Sequence, residues 1–135
     1  EGYIERHKIN RKKMSLNKNG KGKFSKTKLK LIQSFKIASL IECKLETGRT
    51  HQIRVHMTSI NSSIVGDKIY GKNNKNKFSK DPKTYNKFLI LQNFKRQALH
   101  AYHLGFIHPK TEKYIEFNED LPSDISDLLK LLAKY

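Results

Sequence analysis

Within residues 39–46 the chain alternates strictly from Ile41 on: Ile41, Cys43 and Leu45 on one parity, Glu42, Lys44 and Glu46 on the other. A period of two permits a strand with one apolar face and leaves no stripe that a helix could bury. Thr47-Gly48 then breaks the strand. A helix is expected over residues 51–60, with Thr50 as its N-cap. Ile53, Met57 and Ile60 would form its apolar stripe, beside a face carrying His51, Arg54 and Thr58. The helix start is rich in donors. Free backbone N–H groups there favour an anion, and Arg49, His51 and Arg54 add to them. Such a start can hold RNA backbone or fix a carboxylate, with plain surface charge as the competing reading.

The rest of the chain extends this pattern. Residues 28–32 alternate basic with apolar and predict a strand, joined through residues 34–38, as a hairpin or a kinked continuation, to the strand over 39–46. Residues 64–71 form a short apolar segment between glycines, and residues 72–87, rich in Lys and Asn, are expected to be a mobile loop. Residues 96–108 alternate again, and residues 109–113 predict a hairpin turn into a strand over 114–117. Pro122-Ser123 opens a final helix, with Ser123 as N-cap and Asp124 and Asp127 at the positive end of its dipole. Ile125, Leu128, Leu129 and Leu132 make its packing stripe. The fold class expected is α+β: a mixed, largely antiparallel sheet with flanking helices.

Charge bounds the partners. The 135 residues carry 28 Lys and Arg against 12 Asp and Glu, a formal net charge of +16. Self-repulsion at this level disfavours the compact state, and a polyanion relieves it. RNA, DNA and anionic membrane are the candidates, and nucleic acid is preferred. An A/T-rich genome is the competing explanation for part of the lysine and asparagine excess. Residues 1–28 form a basic arm in which Arg11, Lys12 and Lys13 are adjacent; irregular structure or short strands, ordered by whatever they bind, are expected. No run approaches the about 20 apolar residues of a membrane span, and no secretory signal is visible. Cys43 is the one cysteine, so no intramolecular disulfide forms, as suits a reducing cytosol. No zinc spacing and no phosphate-cradling Gly-x-x-x-x-Gly-Lys motif occurs.

One stretch carries more than pattern. Thr47-Gly48-Arg49-Thr50-His51-Gln52-Ile53-Arg54-Val55-His56 resembles a signature of the RluA/RluD-type RNA pseudouridine synthases. Three further pieces follow in that family's order. Gly66-Asp67-Lys68-Ile69-Tyr70-Gly71 is similar to its Gly-Asp-x-x-Tyr-Gly element, and Arg96-Gln97-Ala98-Leu99-His100-Ala101 to its Arg-Gln-x-Leu-His-Ala strand. Residues 104–109 continue that strand into its His-Pro turn. The resemblance covers nearly the whole chain, as the C-terminal portion of a catalytic domain.

The resemblance implies an isomerase that breaks the bond from ribose to uracil N1, turns the base, and rejoins it through C5. No cofactor and no metal are implied. The partner implied is RNA, by default large-subunit ribosomal RNA, with no DNA or membrane, for a cytoplasmic enzyme that is monomeric at full length. Arg54 would be the arginine that pairs with the nucleophilic aspartate. Leu99, with Ile53, would line the uracil pocket, although Leu99 also suits simple core packing. Arg49, Thr50, His51, Gln52, Arg96 and His100 would organise the site or touch RNA, and for each histidine a structural hydrogen bond is an equal alternative. Arg11, Lys12 and Lys13 would contact RNA. Asp67 is not the family's catalytic position, and a Gly-Asp turn uses its carboxylate for local capping.

One departure matters. The family's nucleophile sits in an Arg-Leu-Asp motif, and none of Arg6, Arg11, Arg49, Arg54 and Arg96 is followed by Leu-Asp. The family's active-site tyrosine also lies upstream. The chain starts at Glu1 rather than Met, and the expectation is a partial sequence, inactive alone, whose nucleophile precedes Glu1. The alternative is a non-catalytic RNA-binding or ribosome-associated module that keeps the fold.

Overall fold

The computed structural model describes residues 1–71 and 82–134. The chain divides into two compact units, Glu1–Ala98 and Leu99–Tyr135. Among the described residues every strand pairing is antiparallel, and the strands fall into three sheets rather than one. With the helices, this is the α+β class expected.

In the first unit the basic arm is a folded sheet. Strands β1 (Gly2–Arg6), β2 (Met14–Asn17) and β3 (Lys23–Ser25) pair in the order β2-β1-β3. The turn from β1 to β2 is closed by backbone: His7 N–H donates to Lys13 O, and Lys13 N–H to Asn10 O. His7 Nδ1 accepts the N–H groups of Ile9 and Asn10, so the ring replaces a carbonyl inside the turn. Strands β4 (Thr27–Ser34) and β5 (Ser39–Leu45) form a hairpin rather than a kinked continuation, with Phe35 N–H donating to Ala38 O at its tip. A register shift between Leu31 and Gln33 interrupts the ladder. Cys43 is half-buried, and burial pushes its thiol up from the ordinary value, with Glu42 adding to the effect.

Helix α1 (Gln52–Ser59) follows β5 and lies against β2 and β4. Val55 joins Ile4 and Tyr70 in the core, flanked by Met14, Leu16 and Ile69. Two expectations about this helix are overturned. Thr50 does not cap it: the residue before the helix is His51, in the left-handed region at φ 57° with no side-chain cap. Nor is Ile53-Met57-Ile60 the buried stripe. The buried residues are Gln52, Arg54, Val55, His56 and Met57, while Ile53 is half-buried and Ile60 exposed. Three of those five are polar, and each finds partners that make its burial tolerable.

Helix α2 (Pro82–Gln92) corrects the loop expected over 72–87. Residues 72–81 lie outside the described residues, but 82–87 are helical. Pro82 suits a first helical turn, where its missing N–H costs nothing. Thr84, Lys87 and Phe88 are buried at helical spacing. The unit ends where Ala98 N–H donates to Val65 O.

The second unit is a hairpin and a helix. Strands β6 (His103–Ile107) and β7 (Tyr114–Asn118) pair across the predicted turn, where His108 Nδ1 accepts the N–H groups of Lys110 and Thr111. The long strand expected over 96–108 therefore begins only at His103. Helix α3 (Ser123–Ala133) buries Ile125, Leu128 and Leu132. Pro122, not Ser123, occupies its N-cap position, and no side chain caps it.

Candidate active site

The site is built on the loop after α1. Gly66 sits at φ +72°, and a Cβ there would lie 1.9 Å from Arg96 O. A Cβ on Gly71 would lie 2.3 Å from Asp67 O, the carbonyl that accepts Gly71 N–H. The two glycines of Gly-Asp-x-x-Tyr-Gly are thus required by close backbone approach at both ends of the loop. Between them Asp67 turns its carboxylate inward. Oδ1 accepts the N–H groups of Ile69 and Tyr70, each at 3.0 Å. This is the local capping expected of a Gly-Asp turn.

The same carboxylate does more. Arg54 Nε donates to Oδ2 at 2.8 Å, and Nη2 donates to Oδ1 at 2.9 Å. This is a parallel two-bond fork, the strongest geometry open to an arginine and a carboxylate. The Asp67 side chain is 0% exposed and that of Arg54 10%. Burial alone would raise the Asp67 pKa, but the Arg54 hydrogen bonds and the two backbone N–H groups outweigh it and hold it below the ordinary value. The Asp67 bonds raise that of Arg54, against the opposing effect of burial. Both groups are ionised at neutral pH.

Tyr70 completes the cluster. Its ring lies 4.9 Å from the Arg54 guanidinium carbon, a cation–π contact, and Lys13 Nζ lies 5.8 Å from the same ring. Its hydroxyl accepts Met14 N–H at 2.6 Å, which leaves its own proton to donate to His51 Nδ1 at 2.9 Å. His51 is neutral in this setting. Burial lowers its pKa, Arg54 and Arg6 lower it further, and Asp67 opposes them.

Behind this cluster lies a second polar group. Gln52, 3% exposed, has both ends of its amide satisfied. Its Nε2 donates to Lys26 O and Thr27 Oγ1, and its Oε1 accepts from Thr47 Oγ1 and Arg49 N–H. The residue ties the end of β5 and the start of β4 to the helix. His56 lies between Ser25 and Thr27, with Nε2 3.0 Å from Ser25 Oγ and Nδ1 2.8 Å from Thr27 Oγ1. Ser25 donates its own proton to Gly2 O and is fully buried. The pair has the outline of a nucleophilic serine and its base, but the serine is committed as a donor and closed to substrate.

On the outer side, Arg6, Lys23, Arg49 and Thr50 line a cleft of about 390 Å³, with Glu5, Ile4, Met14, Gly22 and Gly48. Arg49 Nε donates to Phe24 O, and Arg6 Nη1 donates to Arg11 O. Arg11 and Lys12 are exposed in the β1–β2 turn. The residues singled out in the sequence therefore separate. His51 and Arg54 meet at Tyr70, where Lys13 joins them. Arg49 and Thr50 face the cleft, Gln52 is internal, and Ile53 is half-buried. Arg96 contributes its backbone against Gly66, and its Nη1 donates to Gln97 O. Leu99 and His100 belong to the second unit, where His100 Nε2 lies 3.3 Å from Glu119 O. The Arg54–Asp67 fork was not anticipated, nor was Tyr70 at its centre; the Gly-Asp-x-x-Tyr-Gly element was visible, but its spacing does not say which way its carboxylate turns. Among the described residues no cluster of three or more His, Cys, Asp or Glu side chains could hold a metal.

The fold and this geometry define an α+β protein with a buried, carboxylate-paired arginine next to a basic cleft. Comparison with known proteins gives the class a family. A family model described as RNA pseudouridylate synthase matches residues 1–59. Over 98% of its length the chain is 46% identical to ribosomal large subunit pseudouridine synthase D of Zymomonas mobilis, covering 40% of that protein. It is 42% identical over 91% of its length to the Buchnera aphidicola protein of the same name, covering 38% of it. It is 40% identical over 97% of its length to the uncharacterized RNA pseudouridine synthase YlyB of Bacillus subtilis, covering 37% of it. The chain belongs to the RNA pseudouridine synthase family, and it spans about two fifths of the length of these relatives.

Proposed function

We propose that this chain supplies the arginine side of the active site of a pseudouridine synthase acting on uridine in RNA, with large-subunit ribosomal RNA as the substrate class. What supports the reading is Arg54. It lies in the segment that matches the family model, is buried and charged, and is held by its Nε/Nη2 edge. Among the described residues no bond uses Nη1 and no buried side-chain nitrogen or oxygen lacks a partner, so Nη1 is not fully buried. An open guanidinium end in a half-dry site keeps a second carboxylate ionised. That carboxylate, the nucleophile, comes from chain preceding Glu1. With its help the bond from ribose to N1 breaks, the base turns in place, a bond from ribose to C5 forms, and C5 gives up its proton while N1 takes one, so that the product is an isomer of the substrate. The target uridine leaves its stack first, at a cost of about a few kcal/mol. Arg49 and the cleft, with Arg11, Lys12 and Lys13, hold the flanking strand through its phosphates. Ile53 lines the pocket, and Arg96 organises it. The enzyme acts as a cytoplasmic monomer, without cofactor, on RNA rather than DNA or membrane.

The test uses the full-length protein and a ribosomal RNA transcript, with pseudouridine counted in the product. Arg54→Ala should lower turnover by about 100-fold or more, with RNA affinity changed by less than about three-fold because backbone contacts dominate binding. A wild-type protein that binds the transcript and forms no pseudouridine is instead the non-catalytic RNA-binding or ribosome-associated module. An Arg54→Ala enzyme with normal turnover would remove Arg54 from the chemistry.

A further inference from the structure

We infer that Asp67 is a positioning residue for the reaction: it grips the Nε/Nη2 edge of Arg54, so that the nucleophilic carboxylate must meet the guanidinium from its Nη1 end. The inference rests on the reading of Arg54 given under Proposed function. A guanidinium offers a side-on edge, Nε with one Nη, and an end formed by the two Nη groups. Asp67 occupies the side-on edge completely, with one oxygen on Nε and the other on Nη2. The Tyr70 ring covers one face at 4.9 Å. The side chain has no rotamer that keeps the fork and turns another edge outward.

The grip is itself held. Oδ1 takes two backbone N–H groups besides Nη2. The loop carrying it cannot shift freely, because Gly66 abuts Arg96 O and Gly71 abuts Asp67 O. Asp67 is not a nucleophile in this arrangement: its side chain is 0% exposed and both oxygens are engaged. It also compensates the buried charge of Arg54, which alone would be costly to desolvate. Orientation matters because a misplacement of about 1 Å in a reacting constellation costs about 100-fold in rate.

The experiment compares Asp67→Asn with the wild type in the full-length protein, reading kcat, KM for the RNA and the unfolding midpoint. Asparagine keeps an oxygen for the Ile69 and Tyr70 N–H groups and puts an N–H₂ where the guanidinium needs an acceptor. We expect kcat to fall by about 100-fold with KM within about three-fold and the protein still folded. Asp67→Glu keeps the charge on a longer arm and should also lower kcat, which covers the case in which Asp67→Asn does not fold. Added to Arg54→Lys, Asp67→Asn should cost less than about two-fold more, since it acts through the arginine. A full multiplicative loss in that double variant would make Asp67 a fold residue and overturn the inference. So would a folded Asp67→Asn enzyme with wild-type kcat. A wild-type enzyme that makes no pseudouridine would instead overturn the reading of the whole site, and this inference with it.

Discussion

His56 has both ring nitrogens engaged in the first unit, and its neutral form is the one that fits. Ser25 donates to Gly2 O, so it can only accept from Nε2–H, and Nδ1 must then accept from Thr27. A proton on Nδ1 would take from the Thr27 hydroxyl the acceptor for its own hydrogen and put a charge in a buried site. Burial accordingly lowers the His56 pKa, and His51 shifts the same way. The sign follows from linkage. Above about 6.5, the ordinary histidine value, folded and unfolded chains are both neutral there and the contribution is intact. As pH falls below that value the unfolded chain takes up protons that the folded chain refuses, and stability drops until the folded values are passed. Asp67, whose pKa is also lowered, adds a loss only in the more acid carboxylate range. The unfolding midpoint of the full-length protein should therefore fall from pH 7.5 to pH 5.5, and His56→Gln should flatten that slope. A slope unchanged in His56→Gln would remove His56 as its source. None of this was legible in the alternation of apolar residues, because periodicity marks where apolar side chains go. It is silent on Gln52, Arg54 and His56, which are buried because they are satisfied.

At the scale of elements, legibility followed the strength of the local signal. The β4–β5 and β6–β7 hairpins were readable from strict alternation around turn residues, and α3 from its leucine spacing. The start of α1 was not, because His51 adopts a left-handed φ without being glycine, a conformation uncommon even for histidine, which visits it more often than most residues do. Residues 82–87 read as loop by composition, but burial of Thr84, Lys87 and Phe88 makes them helix. Strand pattern failed over residues 96–98, because that backbone serves the Val65–Gly66 loop instead of a ladder. The β1–β2 turn shows the opposite case. Its basic residues were visible, but the sheet that holds them was expected only as short or irregular strands. That turn carries Arg11 and Lys12 at the surface on a backbone fixed by Asn10 and His7. A double substitution of Arg11 and Lys12 by Ala should weaken RNA binding across sequences and leave kcat unchanged. The plot of log affinity against log salt should flatten by about 0.7 to 0.9 per lost phosphate contact. Titration of a labelled transcript at several salt concentrations reads this directly, and an unchanged slope would place the turn away from RNA.

Two opposed forces act on the whole molecule. Large apolar side chains are exposed in both units: Leu31 59%, Leu104 57%, Ile107 68% and Phe117 56%. Exposed apolar area of this kind marks surfaces that another element covers, or a liability to aggregate. The paired strands β4–β5 and β6–β7 are also two-stranded, each with free outer edges among the described residues. Against this stands the net charge of +16, which keeps copies apart as long as it is not screened. At 0.01 M salt the Debye length is about 30 Å, and at 1 M it is about 3 Å. The 135-residue chain alone should therefore stay dispersed at low salt and associate as salt rises, while a protein of the relatives' length, of which this chain spans about two fifths, should not, if its further residues cover these faces. Light scattering across a salt series checks it for both. Poly-uridine should act on the short chain as salt does at charge equivalence, because it neutralises the same lysines and arginines without covering the apolar faces. A short chain that remains a monomer at high salt and unfolds in one cooperative step would mean that these faces need no cover, and that the 135 residues are stable as they stand.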